Sequence, residues 1–326
     1  MKNMDFVAVG DTVVDDFIKL KDAHVNCRIN NEDCEICMRF GDKVPFESST
    51  IIYGVGNAAN AAVCAARLGL SSGFVSNTGA DLNGDKILEY FKTENVDTTH
   101  VVQHINIPTN YHYVLWYTDE RTILINHHAY PYQFPVDLPE PKTIYLSSLA
   151  GGTESYHDDV ATYLEVHPKT FFAFQPGTFQ IKLGTDRLKR LYVRADLYVV
   201  NKEEAQRVLG LPDTMDDVEV LAKGLRALGL KTIIITDDKN GAYALEGESF
   251  FHLPMYKDPN PPIERTGAGD AFASTVAAYM TMGGVPLKDA MQRGLINAAY
   301  VVQDIGAQRG LQKKEKLDSL FSALAH

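Results

Sequence analysis

The stretch ADLYVVNKEEAQRVLGLPDTMDDVEVLAKGLRALGLKTIIITDD, residues 195–238, falls into four pieces. ADLYVVN (195–201) and KTIIITDD (231–238) are short runs rich in Val, Ile, Leu and Tyr that end in polar residues, the composition of strands buried on both faces. Between them, 203–209 and 216–228 carry apolar residues at helical spacing. That order predicts a parallel sheet covered by helices on both sides.

The same rhythm extends outward. FVAVGD (6–11), KTIYLSS (142–148) and KTFFAFQP (169–176) read as further buried strands, with amphipathic segments at 156–166 and 185–193. Two stretches break it. Residues 17–50 are polar and turn-rich, and NYHYVLWYTDERTILIN (110–126) is two strand-like runs joined by a short charged turn, as in a hairpin. Strands inserted there would form a flap over the carboxyl ends of the sheet, where open α/β folds bind ligands. The expected fold is therefore α/β: a three-layer sandwich with a mainly parallel central sheet, plus a small β-strand lid from inserted segments about 17–50 and 101–128. No repeat or Pro/Gly-rich linker divides the chain, so 1–326 reads as a single domain.

With 326 residues, 45% of them hydrophobic, the chain can bury a full core. Its net charge of -11, without clustered Lys or Arg, argues against a nucleic-acid partner and for a small molecule. No apolar run approaches the ~18 residues of a membrane span, and the opening residues lack signal-peptide features, so a cytoplasmic protein is expected. Four cysteines are too few for a disulfide framework, but His24, Cys27, Cys34 and Cys37 are spaced as a possible set of Zn²⁺ ligands.

ERTGAGDAFASTVAAYMTMGG (264–284) joins a glycine loop to an apolar helix. Gly267, Ala268 and Gly269 leave backbone N–H groups open at the helix start, a site for phosphate oxygens. Asp270 in the first turn could take the proton of an attacking alcohol while those amides hold the phosphoryl group. The same residues also suit a simple cap with close packing, so other stretches must decide.

Those stretches are similar to the ribokinase-like, or PfkB, family of sugar and nucleoside kinases, nearly end to end. ERTGAGD resembles the family's DTTGAGD; VGDTVVDDF its first strand and sugar-binding acid; GVGNAANAAVCAARLG its glycine–asparagine element; NKEEA its N-x-x-E motif; ITDDKNGAYA its nucleotide loop; and NAAYVVQDIGAQRG its C-terminal piece. The resemblance implies a ribokinase-like sandwich. It places the acceptor at Asp15, with Asp11 or Asp16 as alternatives, and at Gly56, Asn57 and Asn60, with Tyr111 offering an aromatic face. It places Mg²⁺, through water, at Glu204 beside Asn201. It places ATP near Thr236, Gly241, Arg265, Asn297 and Gly306, and a possible K⁺ at Glu264.

Several positions depart from the pattern: Glu264 replaces Asp, Arg265 Thr, Asp238 and Val55 glycines, and Gln175 an acid. The expected activity is ATP-dependent phosphorylation of a primary hydroxyl on a small sugar such as ribose or a fructose-like ketose. A nucleoside kinase with Tyr111 and Trp116 around the base, and a non-catalytic sugar or nucleotide sensor, are the alternatives. The G-x-G-x-x-A of GVGNAA also suits a dinucleotide-binding turn, although no acid ends the following strand. His112, His127 and His128 read as surface or packed strand residues. A homodimer through the lid is the expected assembly, if any.

Overall fold

The computed structural model describes residues 4–27, 34–118, 120–257 and 259–325. In chain order the strands are β1 (Phe6–Val9), β2 (Val13–Leu20), β3 (His24–Asn26), β4 (Glu35–Cys37), β5 (Phe46–Val55), β6 (Ser72–Gly79), β7 (Val96–His104), β8 (Tyr111–Tyr117), β9 (Glu120–Asn126), β10 (Thr143–Leu146), β11 (Phe171–Phe174), β12 (Leu197–Asn201), β13 (Thr232–Thr236), β14 (Ala242–Glu246) and β15 (Ser249–Leu253). The helices are α1 (Asn57–Arg67), α2 (Leu82–Thr93), α3 (Glu154–Val166), α4 (Thr178–Leu183), α5 (Lys189–Arg194), α6 (Lys202–Leu209), α7 (Val218–Ala227), α8 (Ala268–Met282), α9 (Leu287–Val301) and α10 (Lys314–Ser322).

Nine strands form the central sheet in the order β15-β14-β13-β12-β11-β10-β1-β6-β7. From β13 to β7 every pairing is parallel; β14 and β15 close one edge antiparallel. The strands are apolar throughout because alternate residues enter different cores. Phe6 and Ala8 pack with α1, α8 and α9 on one face, whereas Val7 and Val9 pack with α3, α5 and α7 on the other. Leu197 and Val199 repeat the first pattern and Tyr198 and Val200 the second. The three-layer sandwich expected from the sequence is present.

Four strands in the order β5-β2-β8-β9 make a separate small sheet, the lid. The predicted hairpin is β8–β9, paired from Tyr111↔Asn126 to Tyr117↔Glu120. Its boundaries shift from expectation. The lid's strands begin at Val13 and run through Val55, while β7 to His104 belongs to the central sheet, where it pairs in parallel with β6. Side-chain alternation gives the lid two faces. One row reads Ile52–Asp15–His112–Ile125 and the next reads Ile51–Asp16–Tyr113–Leu124. The first belongs to the inner face: Phe17, Val114 and Ile52 pack there with Ile305 of the body.

The zinc reading is corrected. Cys27 and Cys34 form a disulfide, which removes two of the four proposed donors, and His24 simply pairs across from Cys37 on the β3–β4 ribbon. Among the described residues no group of His, Cys, Asp and Glu is arranged to hold a metal ion, and no helix is long and apolar enough to cross a membrane.

Candidate active site

The glycine loop turns into α8 at Gly267, whose φ of 81° is the left-handed region. A Cβ there would lie 2.3 Å from the Cβ of Ala307, so only glycine allows the loop to meet the C-terminal segment. The first N–H groups of α8 have no acceptor within the helix and carry its positive end. α8 is buried on nearly all sides, as its composition predicted.

Asp270 sits in that first turn. Its Oδ1 accepts from Asn57 Nδ2 at 3.0 Å and Gln175 Nε2 at 3.2 Å, and its Oδ2 from Asn60 Nδ2 at 2.8 Å. Each amide's direction follows from its carrier: Asn57 and Asn60 lie one turn apart on α1, and Gln175 follows β11. Burial pushes the Asp270 carboxyl above the usual aspartate range, and the amides of Asn60, Gln175 and Asn57 pull against that shift. The amides are themselves held: Gln308 Nε2 donates to Asn60 Oδ1 at 2.8 Å, Tyr90 donates to Gln308 Oε1 at 2.6 Å, and the Tyr145 hydroxyl donates to Gln175 Oε1. α1 enters this position because Gly56, at φ 119°, lets the chain pass a would-be 2.8 Å contact with the Asp11 carbonyl.

Two cavities meet at the loop. One, of about 340 Å³, has an apolar wall that includes Phe272, Leu295, Ala298 and Val302, with Thr236 and Gly241 also lining it. The other, of about 370 Å³, is lined by Asn57, Arg121, Gln175, Glu204, Gly267 and Asp270 among others. Asn201, Thr236, Arg265 and Gly269 line both. Each is large enough for part of a nucleotide-sized ligand. Asp270 thus faces open space at the helix mouth, beside the open amides of Gly267 and Gly269.

Asn201 and Glu204 form a capping box at the start of α6, with Asn201 N–H to Glu204 Oε2 at 2.9 Å and Glu204 N–H to Asn201 Oδ1 at 2.7 Å. The simple capping explanation therefore holds, and it also aims both side chains at the second cavity. Burial raises the Glu204 carboxyl above its ordinary value, against the Asn201 bond that lowers it.

Asp11, at the carboxyl end of β1, is buried and accepts from Tyr132 Oη at 2.7 Å and the Ala150 amide at 2.7 Å; burial outweighs these bonds and pushes its carboxyl up to about 6. Asp15 lies on the inner lid face, 3.2 Å from His112 Nδ1. Asp16 points to the other face and accepts from Ser49.

Five residues depart from the roles expected of them. By alternation Tyr111 shares the Asp16 face, opposite Asp15, and donates to the Asp16 carboxylate at 3.3 Å. Trp116 occupies the opposite face, so the two cannot sandwich one base. Asn297 is fully buried between helices, donating to Thr275 Oγ1 at 2.8 Å and accepting from the Gln312 amide at 2.9 Å. It lines neither cavity. Glu264 does not suit K⁺, because Thr266 donates to Oε2, the Gly306 amide donates to Oε1 at 3.2 Å, and Arg121 Nη1 lies 3.7 Å from Oε2. Its charge already has donors and a cation, and Gly306 serves this carboxylate rather than the nucleotide cavity.

The residues missed in the sequence are Arg121 and Gln308; His112 and His127, read there as surface or packed strand residues, stack ring on ring. Arg121 comes from the lid hairpin, on the inner-face row with Trp116, a placement fixed only by strand register.

Comparison with known proteins fits this arrangement. The family model described as pfkB family carbohydrate kinase matches residues 5–314. Ribokinase of Staphylococcus aureus (strain COL) is 25% identical over 290 residues, 86% of this chain and 92% of that protein. The 5-dehydro-2-deoxygluconokinase of Geobacillus thermodenitrificans is 25% identical over 98% of this chain and 94% of its own length. The Arabidopsis thaliana ribokinase solved with ribose and ATP shares the fold, with a TM-score of 0.80, 20% identity and coverage of 98% of this chain and 99% of that one. A helix mouth of open amides beside an amide-held aspartate, inside this sandwich and under this lid, accompanies a family match over almost the whole length, and the chain belongs to the pfkB family of carbohydrate kinases.

Proposed function

We propose that the protein transfers the γ-phosphoryl group of ATP to a hydroxymethyl group of a small sugar such as ribose or a fructose-like ketose. The observation that carries this reading is Asp270, a carboxylate open to a cavity at a helix N-terminus and fixed by three amide donors. All three bonds use the carboxylate as acceptor, so they favour its ionised form, the form a base requires.

The apolar wall of Phe272, Leu295, Ala298 and Val302 suits the face of an adenine base, and Arg265 lies where phosphates would cross between the cavities. The Gly267–Gly269 amides would receive the migrating phosphoryl group. Glu204 and Asn201 fit Mg²⁺ held mainly by water and phosphate oxygens, since they offer few protein oxygens at the edge of the second cavity. When bound, that ion would offset phosphate charge. Asp270 would then accept the acceptor's proton while the lid excludes water. A homodimer stays part of this reading, because Ile51, Tyr113 and Leu124 form an exposed row on the outer lid face.

The test is acceptor-dependent ADP release with ATP and a panel of free sugars and nucleosides. Asp270→Asn is expected to lower turnover by about 10²–10⁴-fold, the usual contribution of a positioned base, while ATP binding persists. Near-native turnover in that variant would refute the role.

A further inference from the structure

The side-chain amide of Asn or Gln swaps its donor and acceptor ends by turning over, with almost no change of shape, so what keeps it one way round is the partner of its other end. Two of the amides on Asp270 are held in this manner. Gln175 Nε2 donates to Asp270 Oδ1 at 3.2 Å, and Gln175 Oε1 accepts from the hydroxyl of Tyr145, fully buried on β10. Asn60 Nδ2 donates to Asp270 Oδ2 at 2.8 Å, and Asn60 Oδ1 accepts from Gln308 Nε2 at 2.8 Å. Gln308 Nε2 also donates to the Gly54 carbonyl at 2.8 Å, and Gln308 Oε1 accepts from Tyr90 Oη at 2.6 Å.

Each chain thus starts at a tyrosine hydroxyl, runs donor to acceptor through one or two amides, and ends on the base. The far end of the longer chain is anchored too. Glu94, one turn beyond Tyr90, accepts from Arg67 Nε at 2.8 Å and Nη2 at 2.7 Å, while Arg67 Nη1 donates to the main-chain carbonyls of Gln308 and Leu311. Tyr90 therefore holds the Gln308 side chain, and the Arg67–Glu94 pair holds its main chain.

From this geometry we infer that Tyr90 and Tyr145 are positioning residues for the base: their hydroxyls set the direction of both chains and keep NH₂ groups turned toward an ionised Asp270. The inference rests on the kinase reading above. With a hydroxyl gone, the amide beyond it is free to turn, and a carbonyl oxygen then meets Asp270. That contact repels a carboxylate but becomes a hydrogen bond once the acid is protonated, so the proton is held more tightly. Burial raises the Asp270 carboxyl, and among the groups that oppose it Asn60 and Gln175 lead, ahead of Asn57 and Arg121. The other ionisable groups facing this region are Glu204 from α6, Arg265 from the glycine loop, and the neutral Tyr145 and Cys64 from β10 and α1. Removing a tyrosine hydroxyl leaves all of these charges unchanged.

The test is the pH dependence of ADP release by the full-length protein, with ATP and its best acceptor, in Tyr145→Phe, Tyr90→Phe and the double variant. Tyr279→Phe is the control, because Tyr279, buried toward the far end of α8, donates to Asp318 Oδ1 at 2.8 Å and belongs to neither chain. The acidic limb of kcat should move up by about one pH unit in Tyr145→Phe, which lowers turnover about tenfold at any pH below the limb. Tyr90→Phe should move it less, since the Gly54 carbonyl still favours one orientation of Gln308, and the double variant should move it furthest. At high pH each variant should recover to within about twofold of wild type, a recovery that a merely structural loss would not show. Urea midpoints check the fold, and if one single variant does not fold the other decides. A limb unmoved in both single variants, or moved as far in Tyr279→Phe, overturns the proposal. ¹³C NMR of aspartate-labelled protein, with the Asp270 signal assigned through Asp270→Asn, repeats the comparison without turnover. An Asp270 titration that moves up in the tyrosine variants of a protein releasing no ADP supports the positioning role and removes the kinase reading alone.

Discussion

Asp270 keeps its direction because the groups around it have no freedom to turn. Gln308 occupies the carbonyl of Asn60 and Tyr145 that of Gln175, so each amide can present only its NH₂ to the carboxylate. Arg121 completes the charge pattern from the lid side, close to Glu264 and on the wall of the second cavity. Its removal should weaken the stabilisation of migrating phosphate, and Arg121→Ala is expected to reduce kcat by about 10–10³-fold with a smaller change in the KM for the sugar. Because the guanidinium already faces Glu264, replacing K⁺ by a bulky organic cation should leave wild-type turnover within about twofold, and a steep K⁺ requirement would contradict that assignment. Asp270 and its glycines were legible in the sequence because they are neighbours in it. Arg121 and Gln308 were not, because each reaches the site through sheet register or through a loop packed from far along the chain.

At the scale of elements, the α8 mouth depends on a close approach that sequence pattern can suggest but not measure. Gly267 combines a left-handed backbone with Ala307 Cα 2.5 Å from where a Cβ would stand. Gly267→Ala should therefore destabilise the protein by about 2–4 kcal/mol, adding backbone strain to overpacking, and should abolish turnover as the loop withdraws. The denaturant midpoint and ADP release test it together, and a stable, active variant would mean that the loop is not set by this contact. The strands of the central sheet were readable because burial on both faces leaves unbroken apolar runs such as Ile233–Ile235. β2 and the start of β5 were not, since a lid strand with one wet face mixes Asp15, Asp16 and serines among its apolar residues. The turn from β5 into α1 is a real strand–glycine–helix unit, but β5 pairs only with β2 in the lid, so it does not open the βαβ unit a dinucleotide site requires. The clustered cysteines suggested metal because spacing alone does not distinguish ligands from the disulfide partners that Cys27 and Cys34 are.

For the molecule as a whole, the buried acid at the end of β1 is maintained at a cost in stability. Asp11 is an acid raised from 3.8 to about 6 by burial, so the folded protein holds its proton more tightly than the unfolded chain does. Between those two values the unfolded state ionises first, and folding stability falls as pH rises through the window. Above about pH 6 both states are ionised and the loss is complete, at most about 3 kcal/mol for a two-unit difference. Asp11→Asn replaces the ionised group by a neutral one of the same shape but loses one of the two bonds from Tyr132 and Ala150. The variant should therefore gain about 1–2 kcal/mol at pH 8 and little or nothing at pH 5, while its affinity for the sugar drops. Urea denaturation at the two pH values, paired with calorimetry of sugar binding, separates these effects. Equal stability changes at both pH values would show that Asp11 is not the strained acid, and undiminished sugar binding would show that the strain serves some other purpose.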